Sequence, residues 1–347
     1  MKPARAIGWY LLAAVLAGGY VLIAGRAPAL ADQVTNLFIF SILALGLSVI
    51  VGDAGLLHLG IAAFFGLGAY ITGVLTVPAN PFHAGFWLSL VASTVGAAAA
   101  GLVLAAPVLR LRGDYFAVVT LGFGEVVRFA MRNLEEITGG TRALSPIPPP
   151  ELPGWLAAAL ATVGVEADFT RDDRLYYWLN LGVLLVVAAL VHRLRSSSLG
   201  RALRAVREDE LAAASLGINR VRVKLAALTI GSGLAGLAGS LYAYKITSTA
   251  SPDAFDFSRS VIVLCAVLVG GLGSVRGTVA GVFLVFGFDN LLAPWLDRWL
   301  QSQTGAADHS WLVFGNWRLM FFGLALILLM RFRPAGLLGR RYISRGS

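Results

Sequence analysis

Hydrophobic residues run along this chain in long continuous stretches rather than in alternation or narrow stripes. Apolar segments at 7–25, 34–51, 56–77, 86–109, 115–131, 175–192, 224–243, 259–271, 277–292 and 311–330 are separated by polar or glycine- and proline-bearing turns. Runs of about 20 apolar residues predict helices that cross a bilayer, whereas barrel strands alternate residue by residue. The two pieces around 259–292 fall short of a full crossing. Between Asp53 and Arg110 no charged side chain interrupts the pattern. The expectation is an all-α polytopic membrane protein, one transmembrane domain over 1–347 with about ten helical passes (eight to ten).

Composition agrees with a bilayer as solvent. Hydrophobic residues make up 57% and charged residues 14%, against about 25% charged in soluble domains. The single cysteine, Cys265, excludes an intrachain disulfide, and His58, His83, His192 and His309 form no metal-binding grouping. No metal or other cofactor is expected. The only lysines are Lys2, Lys224 and Lys245, and none follows a glycine. A Walker A phosphate loop is therefore missing, and the chain is read as a non-enzyme that does not itself hydrolyse ATP by that route.

The net charge of +9 concerns orientation rather than nucleic acid, because the basic residues flank apolar segments. They gather at the N-terminus, at 110–112, in 193–222 extended to Lys224, and in the tail 331–347. Placing these four regions in the cytoplasm puts 26–33, 78–85, 132–174, 244–258 and 293–310 outside, with both termini inside. A second reading of the N-terminus exists: Ala29-Leu30-Ala31 resembles a signal-peptidase site. The apolar stretch before it is longer than the usual signal core, which favours a retained helix.

Two glycine-broken hairpins resemble one another. Val49-Ile50-Val51-Gly52-Asp53-Ala54-Gly55 aligns with Val267-Leu268-Val269-Gly270-Gly271-Leu272-Gly273 at an offset of 218 residues, continuing to Ala62/Ala280 and Phe65/Phe283. Glycine-interrupted segments at corresponding places in two halves point to a transport pathway, since broken helices are tolerated where they line a cavity. Gly52, Gly55, His58, Gly270, Gly271 and Gly273 are the candidates, with close helix packing as the plainer alternative. Glu125, inside a predicted span, joins them; it shares a helix face with Arg128 and either lines the pathway or forms a structural pair near the interface. Asp53 and Arg276 read as flanking charges at the hairpin turns, and Asp289 with Trp295, Trp299, Trp311 and Trp317 as an interfacial belt.

Leu199–Asn219 reads as one helix, rich in Ala and Leu and closed by Gly217. Arg201, Arg204 and Arg207 recur at spacings of three, Glu210 supplies an acid, and Ala212, Ala213 and Ala214 make a row of small residues. Such a helix seats in a groove on another protein or lies at the lipid surface. The spacing Glu210-x-Ala212-Ala213-x-x-x-Gly217 is similar to the EAA---G loop by which ABC importer permeases contact their ATPases. The longer string GRALRAVREDELAAASLGINRVRVKLAAL (200–228) resembles the LivM-type permease subunits of branched-chain amino acid ABC importers. Further blocks agree in order: LRGDYFAVVTLGFGEVVR (111–128), TGGTRAL (138–144), AGLAGSLYAY (235–244), SPDAFDFSRSV (251–261), VGGLGSVRGTVAG (269–281) and FRPAGLLGR (332–340). The first hairpin departs from the family's usual SLGHAAFFGIGAY, with His58 ahead of Leu59-Gly60 and Ile61 where His is common.

The resemblance implies a permease that carries branched-chain amino acids across the bacterial inner membrane. It also implies a related permease subunit, two ATP-binding subunits and a periplasmic solute-binding protein. The segment 193–222 would be its ATPase-coupling element. The proline-rich segment 132–174, with Pro146, Pro148, Pro149, Pro150 and Pro153 and room for a short helix near 155–165, would face the binding protein. Related permeases for urea, short amides or other amino acids share this framework. A free-standing secondary transporter or channel would need a cluster of intramembrane acids, for which Glu125 alone is a candidate.

Overall fold

A computed structural model describes residues 28–108, 114–151, 169, 173–288 and 290, and isolated positions from 320 to 338 that include 336–338. The expected spans 7–25 and most of 311–330, the turn 110–112, the short helix near 155–165, Asp289, the four belt tryptophans and most of the basic tail lie outside the described residues.

Every regular element among the described residues is helical: α1 (Pro28–Leu47), α2 (Ile61–Thr76), α3 (Phe86–Val108), α4 (Asp114–Asn133), the turn-length α5 (Glu135–Thr138), α6 (Asp173–Ser196), α7 (Ser198–Glu208), α8 (Glu210–Ser215), α9 (Arg220–Ile246), α10 (Phe257–Gly270) and α11 (Val275–Gly287). The helices start where the sequence supplies caps. Asn219 accepts from Arg222 N at 3.1 Å, Asp256 from Arg259 N at 3.1 Å and Ser274 from Gly277 N at 3.1 Å. Each satisfies a first-turn N–H that has no partner within its own helix.

Among the described residues, four stretches are long and apolar enough to cross a membrane: Ala31–Asp53, Phe86–Ala106, Leu175–Ser196 and Arg220–Ile246. Ile61–Thr76 and Val275–Gly287 are apolar but shorter. The protein is a polytopic helical membrane protein.

α9 runs through the centre, packed on α1, α2 and α3. Its glycines permit this. A methyl group at Gly239 would lie 1.9 Å from the Phe65 carbonyl oxygen, and one at Gly236 would lie 2.3 Å from Ala97 Cβ. Small residues at such crossings let backbones approach in lipid, where no hydrophobic force draws helices together. Hydroxyls add specificity: Thr72 Oγ1 lies 2.8 Å from both Ser93 Oγ and Ser240 Oγ, joining α2, α3 and α9. Ser89 Oγ meets Tyr244 Oη at 2.6 Å. Such bonds contribute about 0.6 kcal/mol each. Aromatic contacts, with Phe40 stacked on Phe286 at 4.4 Å and Phe38 edge-on to Tyr177 at 5.0 Å, hold α1 between α11 and α6.

Contacts between elements remote in the chain tie both ends of α1. At one, Lys245 Nζ pairs with Asp32 Oδ1 at 2.7 Å, tying the end of α9 to the start of α1. Leu144 and Thr249 exchange contacts there, Thr249 N donating to Leu144 O at 3.1 Å and Leu144 N to Thr249 Oγ1 at 2.9 Å. At the other end, α7 and the start of α9 meet the turn that follows α1.

Candidate functional site

The two aligned hairpins have corresponding irregularities. α1 does not end cleanly: Ser48–Asp53 form a π-helical turn, and Ala54 N reaches back to Val49 O at 3.2 Å. Gly55 then takes φ +72°, and the chain stays unwound until α2 begins at Ile61. In the second hairpin α10 ends at Gly270, and Gly273 takes φ +74° before α11 begins at Val275. Gly55 and Gly273 are the pair related by the 218-residue offset, and both occupy the left-handed region that glycine enters without steric cost. Gly271, at φ +113°, has no positive-φ counterpart at Asp53.

The hairpin turns also touch. A methyl at Gly52 would lie 3.1 Å from Gly273 N. Within the second hairpin the helices cross so closely that a methyl at Gly270 would fall 2.0 Å from the Gly277 carbonyl oxygen. For Gly270, therefore, the close-packing alternative describes its surroundings. Gly52 lies at the seam between the two repeats.

His58 lies in the unwound segment and is fully buried. Its ring sits 5.7 Å from the Phe64 ring and 6.3 Å from the Phe116 ring. Neither ring nitrogen has a hydrogen-bond partner, an expensive arrangement for a buried polar group. The unwound backbone and the first turn of α2 are held by hydroxyls of other helices: Leu59 N donates to Thr120 Oγ1 at 3.1 Å and Ala62 N to Ser260 Oγ at 3.1 Å. α4 presses against the same point, since a methyl at Gly60 would lie 2.1 Å from Thr120 O.

Asp53 is not a flanking charge. It is buried and accepts a hydrogen bond from Arg195 Nε at 2.8 Å, with the two side chains 4% and 9% exposed. Arg195 Nη2 also donates to Ser48 Oγ at 3.0 Å. α6 thus grips the π-helical turn with a charge-assisted bond in a dry setting.

The segment 199–219 is two helices rather than one. Asp209 breaks it, with extended backbone, and its side chain accepts from Leu211 N at 2.8 Å and Ala212 N at 3.0 Å to start α8. An aspartate that caps a new helix competes with continuation of the old one. The arginines turn towards their own chain: Arg201 donates to Ser196 O at 3.0 Å, Arg204 to Arg195 O at 3.2 Å and Arg207 to the Gly52 carbonyl. Glu210 pairs with Lys224, and Arg220 approaches it at 3.9 Å, tying α8 to the first turn of α9. Ala213 is 2% exposed and faces inward. The outward face is instead Leu211, Ala212, Ala214 and Leu216, with Leu211 and Leu216 74% and 80% exposed. Gly217, at φ +81°, closes α8 as expected: Ile218 N reaches Ala213 O at 3.1 Å and Gly217 N reaches Ala214 O at 3.0 Å.

Glu125 is paired. Arg128 Nη2 lies 2.7 Å from its Oε2, and Arg128 Nη1 lies 2.8 Å from Asp253 Oδ1. The cluster fastens α4 to the Pro252–Phe255 turn. Sequence reasoning missed Arg195, Thr120 and Ser260 as contacts of the first hairpin. A hydroxyl or charge set within an apolar helix was the available signal for each, but its partner is remote in the chain.

A family model described as "Branched-chain amino acid transport system / permease component" matches residues 29–330. Among curated proteins, the chain is similar to the high-affinity branched-chain amino acid transport system permease protein LivM of Escherichia coli (strain K12), at 39% identity over 88% of this chain and 69% of that one. It is similar at 23% to the probable branched-chain amino acid transport permease protein LivM of Methanocaldococcus jannaschii, over 86% of this chain and 85% of the relative. It is also 23% identical to the permease protein LivH of Escherichia coli (strain K12), over 88% of this chain and 93% of the relative. No solved structure matches the chain.

Proposed function

We infer function from the family to which this chain belongs, the permease components of branched-chain amino acid transport systems: it is a membrane-spanning permease subunit of an ABC importer for branched-chain amino acids. The match across residues 29–330 carries this reading. In finer terms, the solutes are leucine, isoleucine and valine. ATP is hydrolysed by two partner subunits, and a solute-binding protein delivers the amino acid from the opposite side of the membrane. A second, related permease completes the path. Similarity to both LivM and LivH of one organism, at 39% and 23%, supports two related permeases working together.

The path is assigned to the hairpins, with Gly52, Gly55, Gly270, Gly271 and Gly273 shaping broken backbone and His58 beside it. Glu125, in the middle of α4, is assigned to the fastening of that helix to Asp253 through Arg128. The element 193–222 is assigned to ATPase coupling: Leu211, Ala212, Ala214 and Leu216 present the contact face, while Arg201, Arg204, Glu210, Ala213 and Gly217 give it shape. Two exposed leucines on a short charged segment suit an apolar groove on a soluble partner. This end and both termini are placed in the cytoplasm, and 132–174 outside.

The solute class is tested by uptake of radiolabelled leucine in cells expressing the complete system. Isoleucine and valine should compete, whereas urea and acetamide should not. Competition by the amides and none by valine would replace the amino acid assignment within the same framework.

A further inference from the structure

The two hairpin turns are capped at equivalent atoms by different parts of the chain. The Gly52 carbonyl accepts a hydrogen bond from the Arg207 guanidinium. The Gly270 carbonyl, at the same offset of 218, accepts one from Leu338 N at 3.0 Å, beside Leu337 N to Val269 O at 2.9 Å. These carbonyls lie where the helical ladder fails, so each needs a donor from elsewhere. In the second repeat the donor is main chain from the 336–338 segment, and Gly336 packs against Gly271. In the first repeat it is a long side chain at the end of α7. The Arg207 stem also lies on Gly55, where a methyl would fall 2.7 Å from its Cγ. Arg204 meanwhile holds the carbonyl of Arg195, whose side chain grips Asp53 in the same turn.

From this asymmetry we propose that Arg207 is a positioning residue that couples the ATPase-docking segment to the first hairpin. It pins the Gly52 carbonyl at the seam with Gly273, so that displacement of α7 withdraws the cap and shifts the junction of the two repeats. The proposal rests on the reading of α7–α8 as the docking element. Arg195–Asp53 is the fixed joint on α6 about which the turn moves. Arg207 is the connection that changes, because it is half-buried, extends from the moving helix, and reaches a backbone carbonyl of the turn. The cap in the second repeat is the static counterpart, since it comes from main chain outside 193–222.

The test uses the complete transporter in proteoliposomes with Arg207→Met, which keeps the stem over Gly55 and removes the donors. Leucine uptake and ATP hydrolysis are read in the same vesicles, and retention of the ATPase by co-purification. Uptake per ATP hydrolysed is expected to fall about ten-fold, the scale of losing one charge-assisted hydrogen bond from a working step. The ATPase should stay bound and hydrolysis continue. Arg207→Lys, which keeps a charged donor on a flexible stem, should recover most of the loss. Unchanged uptake per ATP with the ATPase retained overturns the coupling role and leaves the docking reading standing. Loss of the ATPase from Arg207→Met places the residue in the partner interface and also overturns it. Equal loss in Arg207→Lys and Arg207→Met, with poor yield of both, assigns Arg207 to folding alone and overturns it too.

Discussion

The Asp53–Arg195 pair makes a quantitative prediction. Both side chains are under a tenth exposed, the bond is 2.8 Å, and Arg195 Nη2 is further held by Ser48 Oγ. Asp53→Ala removes the acceptor and leaves a guanidinium in a dry pocket between α6 and the π-helical turn. Stranding one partner of a buried pair costs about 3–5 kcal/mol, because the remaining charge keeps its desolvation penalty and loses its compensation. Replacing both with apolar residues, as in Asp53→Ala combined with Arg195→Met, removes the penalty as well and should cost much less. The assay is thermal unfolding of the purified chain in detergent, followed by size-exclusion fluorescence, for both single variants and the double. Asp53→Ala should lower the midpoint by on the order of 5–10 °C, and the double variant should recover at least half of that loss. A single variant that melts with the parent chain would show that the charge is solvated and the pair weak. A double variant whose loss equals the sum of the singles would show that the two side chains do not interact.

Four further outcomes are expected. Gly273→Ala meets no atom within 4 Å and should cost only the left-handed strain of about 1–2 kcal/mol, whereas Gly55→Ala also strikes Arg207 and should reduce leucine uptake more at equal membrane insertion. Leu211→Arg and Leu216→Asp, on the exposed face of α8, should abolish co-purification of the ATPase with the chain's melting unchanged. Ala213→Trp, facing inward, should instead lower melting itself, by about 1–3 kcal/mol of overpacking. A cysteine at the exposed Glu208 should be labelled only from the cytoplasmic side and one at the exposed Pro148 only from outside, so labelling of both from one side would overturn the assigned orientation.

The helices were largely legible because apolar runs state their own length. Predicted 86–109 stands beside Phe86–Val108, and 175–192 lies within Asp173–Ser196. The internal similarity singled out Gly55 and Gly273, and these two aligned glycines share a left-handed backbone, at φ +72° and +74°. The break at Asp209 had a signal, an N-cap residue before Glu210, which the surrounding alanines and leucines masked. What could not be read was pairing at a distance. Asp53 looks like any charge at a helix end, and its partner lies 142 residues away. The direction a side chain takes was equally hidden: a row of three alanines does not say that Ala213 turns inward while Ala212 and Ala214 turn out. His58 shows the same limit, since burial without a partner is a property of packing rather than of composition.

Reconstitution tests the central claim most directly. Proteoliposomes would carry this chain with its related permease and ATPases, with the binding protein added outside and ATP trapped within. The account predicts accumulation of leucine against a gradient, dependent on ATP and on every component, and none by this chain alone. Accumulation by this chain alone, or by the complete set without ATP, would contradict it.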